Sequence, residues 1–388
     1  MHTGDAAFIK KMNRSLILSK IVEHKWISRA DLAKITGLNK ATISVQVSDL
    51  LEKELIIETQ QEHKNLGRRP IMLSINQEAG FALGIDLDKN SITFTLSNMI
   101  GSPVLTEVME LQDSDYEIIL GILIARIKAY KSKCLGTSYG LVGVAIGIHG
   151  IVNTEEVVYF VPQHQWKDTN LKEDLESELE LPVYIENNAN LCSLAEKVYK
   201  HHHSNNLLSV SLYSGIGLGF MINGKLLKGF HGYAGEIGHM IVVPNGLPCS
   251  CGNFGCWEQY ASEYSLIDLI SKYKQKVDLS LEDIQYWLNG QDTFILEQME
   301  NFIRFLSIGL NNLINLYNPE ILVVNSELLR RIPNAVAKLK NQLRSTISHY
   351  SELLISDFGK KACIMGACAL AIQNFLGVNE LCLPFGGE

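Results

Sequence analysis

The chain has 388 residues, of which 46% are apolar and 20% are charged, a globular composition long enough for two or three domains. No run approaches the roughly 20 apolar residues of a membrane span, and the N-terminus lacks a secretory signal pattern, so a membrane or secreted protein is not expected. Residues 1–76 carry 12 Lys and Arg against 8 Asp and Glu, whereas residues 77–388 carry 22 against 34. A basic head on an acidic body predicts a polyanion bound at one end only.

The first segment, Asn13 to Ile57, has the pattern of three short helices. Ser28 is suited to cap a second helix over about Arg29–Thr36, which Gly37 ends. Asn39 is suited to cap a third helix, whose inward face is apolar. Its outward face is predicted to carry mostly small polar side chains: Lys40, Thr42, Ser44, Gln46 and Ser48. A helix, a glycine turn and a helix with a polar outer face are typical of a helix-turn-helix.

Two predicted strands follow at 56–59 and 71–74, and the connection between them has a basic tip. A basic hairpin beside such a helix predicts a winged helix-turn-helix domain over residues 1–78. The residues expected to neutralise DNA phosphates are Lys40, Lys64, Arg68 and Arg69. Those expected to reach base edges are Thr42, Ser44 and Gln46. The alternative is a small helical adaptor with a solvated polar face, but helix, turn and basic hairpin together favour DNA binding.

From Ala79 onward, strand and helix patterns alternate. Buried or β-rich runs predict strands at 81–87, 91–96, 142–148, 183–186, 207–213 and 320–324. Helical patterns occupy 118–130, 171–179, 190–199 and 303–316. This alternation predicts an α/β architecture with two lobes around a cleft.

Four residues of metal-ligand type lie close together in the sequence, with the spacing His-x9-Cys-x-Cys-x4-Cys: His239, Cys249, Cys251 and Cys256. Three thiolates and one imidazole complete a tetrahedral zinc set and leave no position for water, so a structural zinc loop is predicted. Free thiols and a core histidine are the alternative, which the clustering disfavours. The other five cysteines are expected to be buried small hydrophobes in a reducing cytoplasm.

Two further runs combine carboxylates and amides near this cluster. Gly232–His239 places Glu236 among glycines, and Glu258 follows the last cysteine by two positions. The other run, Glu186–Asn190, contains Asn187 and Asn188. Such donors and acceptors together match vicinal sugar hydroxyls, although each residue alone is more typical of a cap or a solvated surface.

Two patterns stay open. Gly215–Gly219 follows a predicted strand and suits either a phosphate cradle or a turn between strands. His201–His203 suits either a metal site or a solvated loop, and its polar surroundings favour the loop.

Together these segments resemble the ROK family (repressors, open reading frames, sugar kinases) from about Ala79 to Leu376. The most specific parts are Gly235–His239 and Cys249–Cys256. With the basic head in front, the chain resembles the repressor branch. Within that branch, five head runs are similar to those of xylose-responsive repressors from Gram-positive bacteria: Phe8–Asn13, Ile27–Ala30, Thr36–Thr42, Gln46-Val47 and Gly67–Pro70.

This resemblance implies an actin-like, hexokinase-type fold with sugar held in the cleft. One lobe would span 79–190, completed by about 360–388, and the other 191–359, with the zinc loop and dimerisation helices. Carried over by position, the sugar-site residues are Asn187, Asn188, Glu236, His239 and Glu258. His239 would give one ring nitrogen to zinc and present the other to the ligand. His149 and Gly150 would also belong to the sugar site as a neighbouring loop, and Trp166 would either cover an apolar sugar face or pack in the core.

Three departures from the kinases of the family argue against phosphoryl transfer. Asn188 stands where those kinases carry an Asp general base, and a carboxamide cannot accept that proton at neutral pH. Asp88 replaces a glycine of the first phosphate loop and brings negative charge towards a polyphosphate. The later run Val324–Ser326 stands where kinases tend to have glycines. The chain is therefore expected not to be an enzyme, while Asn188 can still bind a hydroxyl.

The resulting expectation is a cytoplasmic repressor of xylose-utilisation genes, acting as a homodimer or tetramer on a palindromic operator. D-Xylose or a related aldose would release it, provided that the sugar prefers the arrangement that does not bind DNA. Two alternatives stay open: an active sugar kinase with a fused regulatory head, and a regulator that answers to glucose, a sugar phosphate or a partner protein.

Overall fold

A computed structural model describes residues 6–60 and 71–385. The described residues form two compact units, one of residues up to 202 together with those from 363 onward, the other of residues 203–362. This division follows compactness alone, so the predicted boundaries after residues 78, 190 and 359 stay predictions. Within the described residues, no helix is long and apolar enough to cross a membrane.

The N-terminal part of the first unit, called the head below, contains three helices and a small sheet of strand order β1-β3-β2. In chain order its elements are α1 (Ala6–His24), β1 (Ile27–Ser28), α2 (Arg29–Thr36), α3 (Lys40–Glu52), β2 (Ile56–Gln60) and β3 (Ile71–Ile75). The sheet is antiparallel throughout. The predicted helices and both predicted strands are thus confirmed.

The local signals at the head helices act as predicted. The Ser28 side chain accepts the backbone N–H of Asp31 at the start of α2, and Gly37 ends that helix at φ 69°. Asn39 caps α3 by accepting the backbone N–H of Thr42. These caps satisfy backbone donors that an isolated helix end leaves unpaired, which fixes where both helices begin.

The rest of the first unit is built on a five-stranded sheet of order β11-β7-β4-β5-β6. Its strands are β4 (Phe81–Leu87), β5 (Ser91–Asn98), β6 (Pro103–Glu110), β7 (Leu141–Ile148) and β11 (Val183–Asn187), and a separate small sheet holds β8 (Ile151–Val152), β9 (Val158–Val161) and β10 (Trp166–Thr169). Its helices are α4 (Tyr116–Lys133), α5 (Leu171–Leu179) and α6 (Asn188–Tyr199), with the C-terminal α13 (Ala362–Leu376). Strands β4, β7 and β11 are parallel, so their carboxyl ends meet at one edge.

The second unit repeats that strand order as β16-β15-β12-β13-β14. Its strands are β12 (Leu207–Ser211), β13 (Gly217–Ile222), β14 (Lys225–Leu226), β15 (Ile321–Asn325) and β16 (Glu352–Ile355). Its helices are α7 (Glu258–Ala261), α8 (Glu263–Lys274), α9 (Leu281–Asn289), α10 (Thr293–Tyr317), α11 (Glu327–Arg331) and α12 (Ala335–Gln342). In both units a three-stranded antiparallel meander is extended by two parallel strands, so the predicted α/β architecture is confirmed.

Each unit encloses its own apolar core. In the first unit, the buried face of the sheet packs against α4 and α5. In the second, the long helix α10 contributes a buried stripe at helical spacing that includes Met299, Leu306 and Leu313. Each core holds its sheet rigidly and thereby positions the loops at the carboxyl ends of the strands.

Candidate functional site

A polar cluster lies where the parallel strands of the first unit end. Asp86 lies near the end of β4, His149 follows β7, and Asn187 and Asn188 join β11 to α6. Ligands in open α/β sheets bind at the carboxyl ends of strands, so the topology brings these side chains to a favourable place.

His149 is the centre of this cluster. Its Nε2 lies 2.9 Å from Asp86 Oδ1, and its Nδ1 lies 3.3 Å from Asn188 Nδ2 and 3.8 Å from Asp88 Oδ1. Burial disfavours the charged ring, but the two carboxylates outweigh that effect and raise the pKa of His149 above its ordinary value. The resemblance placed His149 with Gly150 in a loop of the predicted sugar site, but no local signal pointed to the contact of His149 with Asp86.

Asn187 and Gly150 hold the backbone of this cluster. The Asn187 side-chain oxygen accepts the backbone N–H groups of Ala189 and Asn190, which caps α6. Its Nδ2 donates to the Gly150 carbonyl at 2.8 Å. Both the oxygen and the nitrogen of the Asn187 amide are therefore hydrogen-bonded within the protein. Asn188 is half-buried, and its one described side-chain contact is with His149.

Trp166 packs among aromatic residues, which favours the packing alternative over a sugar contact. Its side chain is 5% exposed, and its Nε1 donates to the Ser114 carbonyl at 2.8 Å. Tyr116 packs edge-on against the indole with ring centroids 5.1 Å apart, and His164 stacks on it at 5.2 Å. On β10 the indole is buried, while the next two residues, Lys167 and Asp168, are exposed.

In the second unit, His239, Cys249, Cys251 and Cys256 converge. One ligand atom from each lies within 4.8 Å of the others. Isolated antiparallel bridges, Ile241 with Cys256 and Pro248 with Phe254, close the loop that carries the cysteines. Among the described residues, these four are the one group with such geometry, and His201–His203 is not part of it.

The chemistry of this cluster fits a thiophilic cation. Burial raises the pKa of Cys249, and it raises that of Cys256 to about 12, so both sulfurs stay protonated without a metal. A bound cation would deprotonate them and stabilise the charge. Gly252 (φ 93°) and Gly255 (φ 81°) adopt left-handed conformations that glycine takes without strain and that bring the sulfurs together.

The imidazole of His239 has two different sides. Its Nδ1 lies 3.5 Å from Cys249 Sγ, within the cluster. Its Nε2 lies 3.9 Å from Glu236 Oε2, outside the cluster. The predicted division of the ring between metal and ligand is therefore geometrically available.

Glu258 borders the same cluster. Its Oε1 accepts from Cys249 Sγ at 3.2 Å. A Cβ atom added at Gly215 would lie 2.9 Å from Glu258 Oε2, and one at Gly238 would lie 3.2 Å from it. The glycines thus make room for this carboxylate, while Gly217 and Gly219 belong to β13, which pairs with β12. Within the described residues, the glycine run joins two antiparallel strands and surrounds a carboxylate.

The third candidate surface is the outer face of α3. Lys40 and Ser44 are exposed and Thr42 is half-buried, as an outward face requires. Gln46 is only 5% exposed, so its predicted outward position is wrong. It lies three residues from Ile43 and four from Leu50, which places it on the inward stripe. The basic residues Lys64, Arg68 and Arg69 lie outside the described residues.

Val45 belongs to this surface and was not foreseen. It is 64% exposed beside Ser44. An apolar side chain there suits contact with a thymine methyl group. Stricter use of the 3.6-residue helical period would have exchanged Gln46 for Val45.

Comparison with known proteins supplies the context for these sites. The sequence pattern that defines the ROK family matches residues 82–374. A curated relative, the xylose repressor of Bacillus spizizenii, is 36% identical over 388 residues, covering 98% of this chain and 100% of its own. The xylose repressor of Bacillus subtilis is also 36% identical, with 97% and 99% covered.

Solved structures agree in fold. A ROK family transcriptional regulator, described as a homologue of the Escherichia coli MLC protein, has a TM-score of 0.83 at 26% identity and covers 95% of this chain and 97% of its own. A ROK glucokinase from Streptomyces griseus, in complex with glucose and AMPPNP, has a TM-score of 0.64 at 25% identity. That kinase is covered completely by 76% of this chain. The actin-like, hexokinase-type fold is therefore common to regulators and kinases.

Proposed function

The chain belongs to the ROK family, and from that membership we propose that it is a cytoplasmic transcriptional repressor of xylose-utilisation genes. In this proposal the head binds a palindromic operator, and D-xylose or a related aldose releases it. The observation that carries the proposal is the near-complete match, head included, to relatives named xylose repressor. A sugar-responsive repressor is the function that these relatives and the regulator structure support.

The head supports DNA binding through its α2–α3 arrangement. We propose that it is a winged helix-turn-helix, with α3 in the major groove and the connection between β2 and β3 as the wing. The exposed residues Lys40 and Ser44, with half-buried Thr42, remain the proposed contacts on α3. For the wing we propose Lys64, Arg68 and Arg69 as phosphate contacts. A homodimer or tetramer is proposed because one such head reads only a short half-site.

For the metal we propose a structural Zn²⁺ held by His239 and the three cysteines of its cluster. When bound, the ion would supply a tetrahedral cross-link within its loop. Four protein ligands leave no site for water, so no catalytic role is proposed.

For the sugar we propose Asn188 in the first unit, and Glu236, His239 and Glu258 in the second. Their amide, carboxylate and imidazole groups offer donors and acceptors for vicinal hydroxyls. Asn187 and Gly150 would support this site through the backbone, as their mutual hydrogen bond indicates.

We propose a regulator without kinase activity. The Asn188 amide lies against His149 and supplies no carboxylate base. In the second unit, Asn325 is fully buried, accepts from the Tyr213 hydroxyl at 2.9 Å and donates to the Gly359 carbonyl at 3.1 Å. Side chains thus occupy the strand end where the kinases tend to have glycines.

The deciding experiment is operator binding by fluorescence anisotropy, titrated with D-xylose, D-glucose and glucose 6-phosphate in the absence of ATP. Release by D-xylose alone is the expected result. Tight binding indifferent to all three sugars would contradict D-xylose as inducer and favour another effector. Absence of specific DNA binding, with ADP release from ATP and an aldose, would contradict the repressor and favour the kinase.

A further inference from the structure

We propose that His149 is a positioning residue: backed by Asp86, it fixes which end of the Asn188 amide faces the sugar, and this makes sugar affinity depend on pH. This inference rests on the proposed function, because it takes Asn188 as a sugar contact. It assigns to His149 an indirect role in place of direct contact with the ligand.

The three side chains form a chain of contacts across three strand ends. Asp86 Oδ1 lies 2.9 Å from His149 Nε2, and His149 Nδ1 lies 3.3 Å from Asn188 Nδ2. The His149 side chain is 14% exposed and that of Asp86 is 17% exposed, so the ring has little freedom to turn towards solvent. Both ring nitrogens therefore have defined partners.

In the neutral ring, these contacts admit one arrangement of protons. Because Asp86 is an acceptor when ionised, His149 Nε2 carries the proton and donates to it. His149 Nδ1 then has a lone pair, which accepts from Asn188 Nδ2–H. The Asn188 Oδ1 is left free of His149 and can accept a hydrogen bond from a sugar hydroxyl.

Protonation of the ring reverses the Asn188 amide. Both nitrogens of an imidazolium are donors, so Asn188 Nδ2–H can no longer donate to Nδ1. The amide must turn over to present its oxygen to the ring, and its N–H₂ group then faces the ligand. A hydroxyl placed to donate loses its acceptor, and an unpaired polar group in a bound complex costs affinity. The sugar therefore prefers the neutral form of His149.

The surrounding charges decide where this change occurs. Asp86 and Asp88 raise the pKa of His149 above its ordinary value against the effect of burial. Three more titratable groups lie around this cluster: Lys89, His164 and Cys363. Burial lowers the pKa of His164 and raises that of Cys363 well above its usual range, so both are uncharged near pH 7. The titration is therefore assigned to His149.

The same geometry gives Asp86 a role in this chain. In the first phosphate loop of the family, the Asp that corresponds to Asp86 is followed two positions later by a glycine. In this chain Asp88 replaces that glycine. Asp86 is held by His149, an interaction that needs no nucleotide. The carboxylate thus serves the orientation of Asn188.

The test is isothermal calorimetry of D-xylose binding to the full chain between pH 6 and pH 8.5. In the wild-type chain, affinity should fall by up to about tenfold per pH unit once the pH drops below the pKa of His149, because binding then displaces a proton. His149→Gln keeps hydrogen-bonding capacity but cannot titrate, so its affinity should change much less with pH than that of the wild type. Asp86→Asn removes a carboxylate, lowers the pKa of His149 and should shift the fall in affinity to lower pH.

His164→Gln is the matched control, because it removes a neighbouring histidine that has no described contact with Asn188. Its profile should follow the wild type. A direct readout is the titration of the His149 ring by NMR, whose midpoint should fall in Asp86→Asn. If the wild type binds D-xylose but His149→Gln keeps the same pH dependence, or Asp86→Asn leaves the midpoint unchanged, the inference is overturned while the proposed function stands. If the wild type binds no aldose, the proposed function and this inference fail together.

Discussion

Individual side chains in this protein take their roles from what surrounds them. Two carboxylates and the Asn188 amide surround the ring of His149. A cysteine thiol and two carboxylates surround the ring of His239. Gln46 and Val45 are adjacent, yet the polar residue is buried and the apolar one exposed.

Cys256→Ser should abolish metal binding. Cys256 is fully buried within its cluster, and three ligands cannot close a tetrahedral zinc site as tightly as four. Metal analysis of the purified chain should give about one zinc in the wild type and nearly none in the variant, with unfolding at lower temperature. The control is Cys382→Ser, which lies outside the cluster and should keep its metal. A full zinc equivalent in Cys256→Ser would contradict the ligand set.

Lys40→Ala should weaken operator binding about three- to tenfold and lower the salt dependence by about one counterion, because the exposed Lys40 is a proposed phosphate contact. Gln46→Met is the comparison. Within the described residues, Gln46 Oε1 is buried without a hydrogen-bond partner, so an apolar side chain of similar shape should leave stability unchanged or raise it by about 1 kcal/mol. Its operator affinity should stay within about twofold. Fluorescence anisotropy at several salt concentrations measures both, and a loss of base discrimination in Gln46→Met would show that the side chain does reach DNA.

Packing between elements depends on close approach at glycines. Gly309 lies in the middle of α10, where an added Cβ would overlap the indole of Trp257. Trp257 is fully buried just before α7, and its Nε1 donates to the Phe305 carbonyl of the same long helix at 2.8 Å. The helix and the end of the metal loop are therefore locked together in the second unit.

Gly309→Ala should destabilise the chain by about 3 kcal/mol, since a buried ring must move to admit one methyl group. Gly121→Ala is the matched control: it is also a helical glycine, on α4, but an added Cβ there meets nothing within 4 Å. It should stabilise by about 0.5–1 kcal/mol through helix propensity. Urea unfolding followed by fluorescence measures both, and equal effects of the two substitutions would refute the packing argument.

At the scale of the whole molecule, hydrogen bonds join the head to the rest of its unit. The Tyr139 hydroxyl donates to the Lys53 carbonyl at 2.8 Å, and Ser15 Oγ donates to the Gly377 carbonyl, after α13, at 2.7 Å. Solved ROK kinases are matched over nearly their whole length by about three quarters of this chain. The family fold thus stands without a head.

A fragment of residues 79–388 should accordingly fold and bind D-xylose with an affinity within about twofold of the full chain, because domains with their own cores fold alone. It should show no operator binding, since Lys40 and the rest of the proposed DNA-contacting residues are absent. Calorimetry and anisotropy on the fragment, beside the full chain, measure these two expectations. Specific DNA binding by the fragment would contradict the proposed head, and failure to fold would contradict the boundary at residue 78.

The sequence by itself determined the features that depend on neighbouring residues only: helix caps, a glycine turn and the spacing of metal ligands. The caps at Ser28 and Asn39, the glycine turn at Gly37 and the metal-ligand spacing follow from short-range geometry, so they were predictable. Strands with buried runs, such as β4, were predicted over the residues that form them. Short strands such as β14 and β16 have too few residues to show a period, and pairing with neighbours alone makes them strands.

Tertiary structure decided which polar residues meet and which aromatic ones are buried. Asp86 and His149 are 63 residues apart, and only the parallel pairing of β4 and β7 brings them into contact. Gln46 was predicted to face outward, and Trp166 was left open between a sugar contact and the core. Packing placed both side chains inside, because burial depends on which face an element turns to its core. The free energy of the whole fold decides which distant strands pair and which side of each element faces the core. A local sequence pattern does not contain that information.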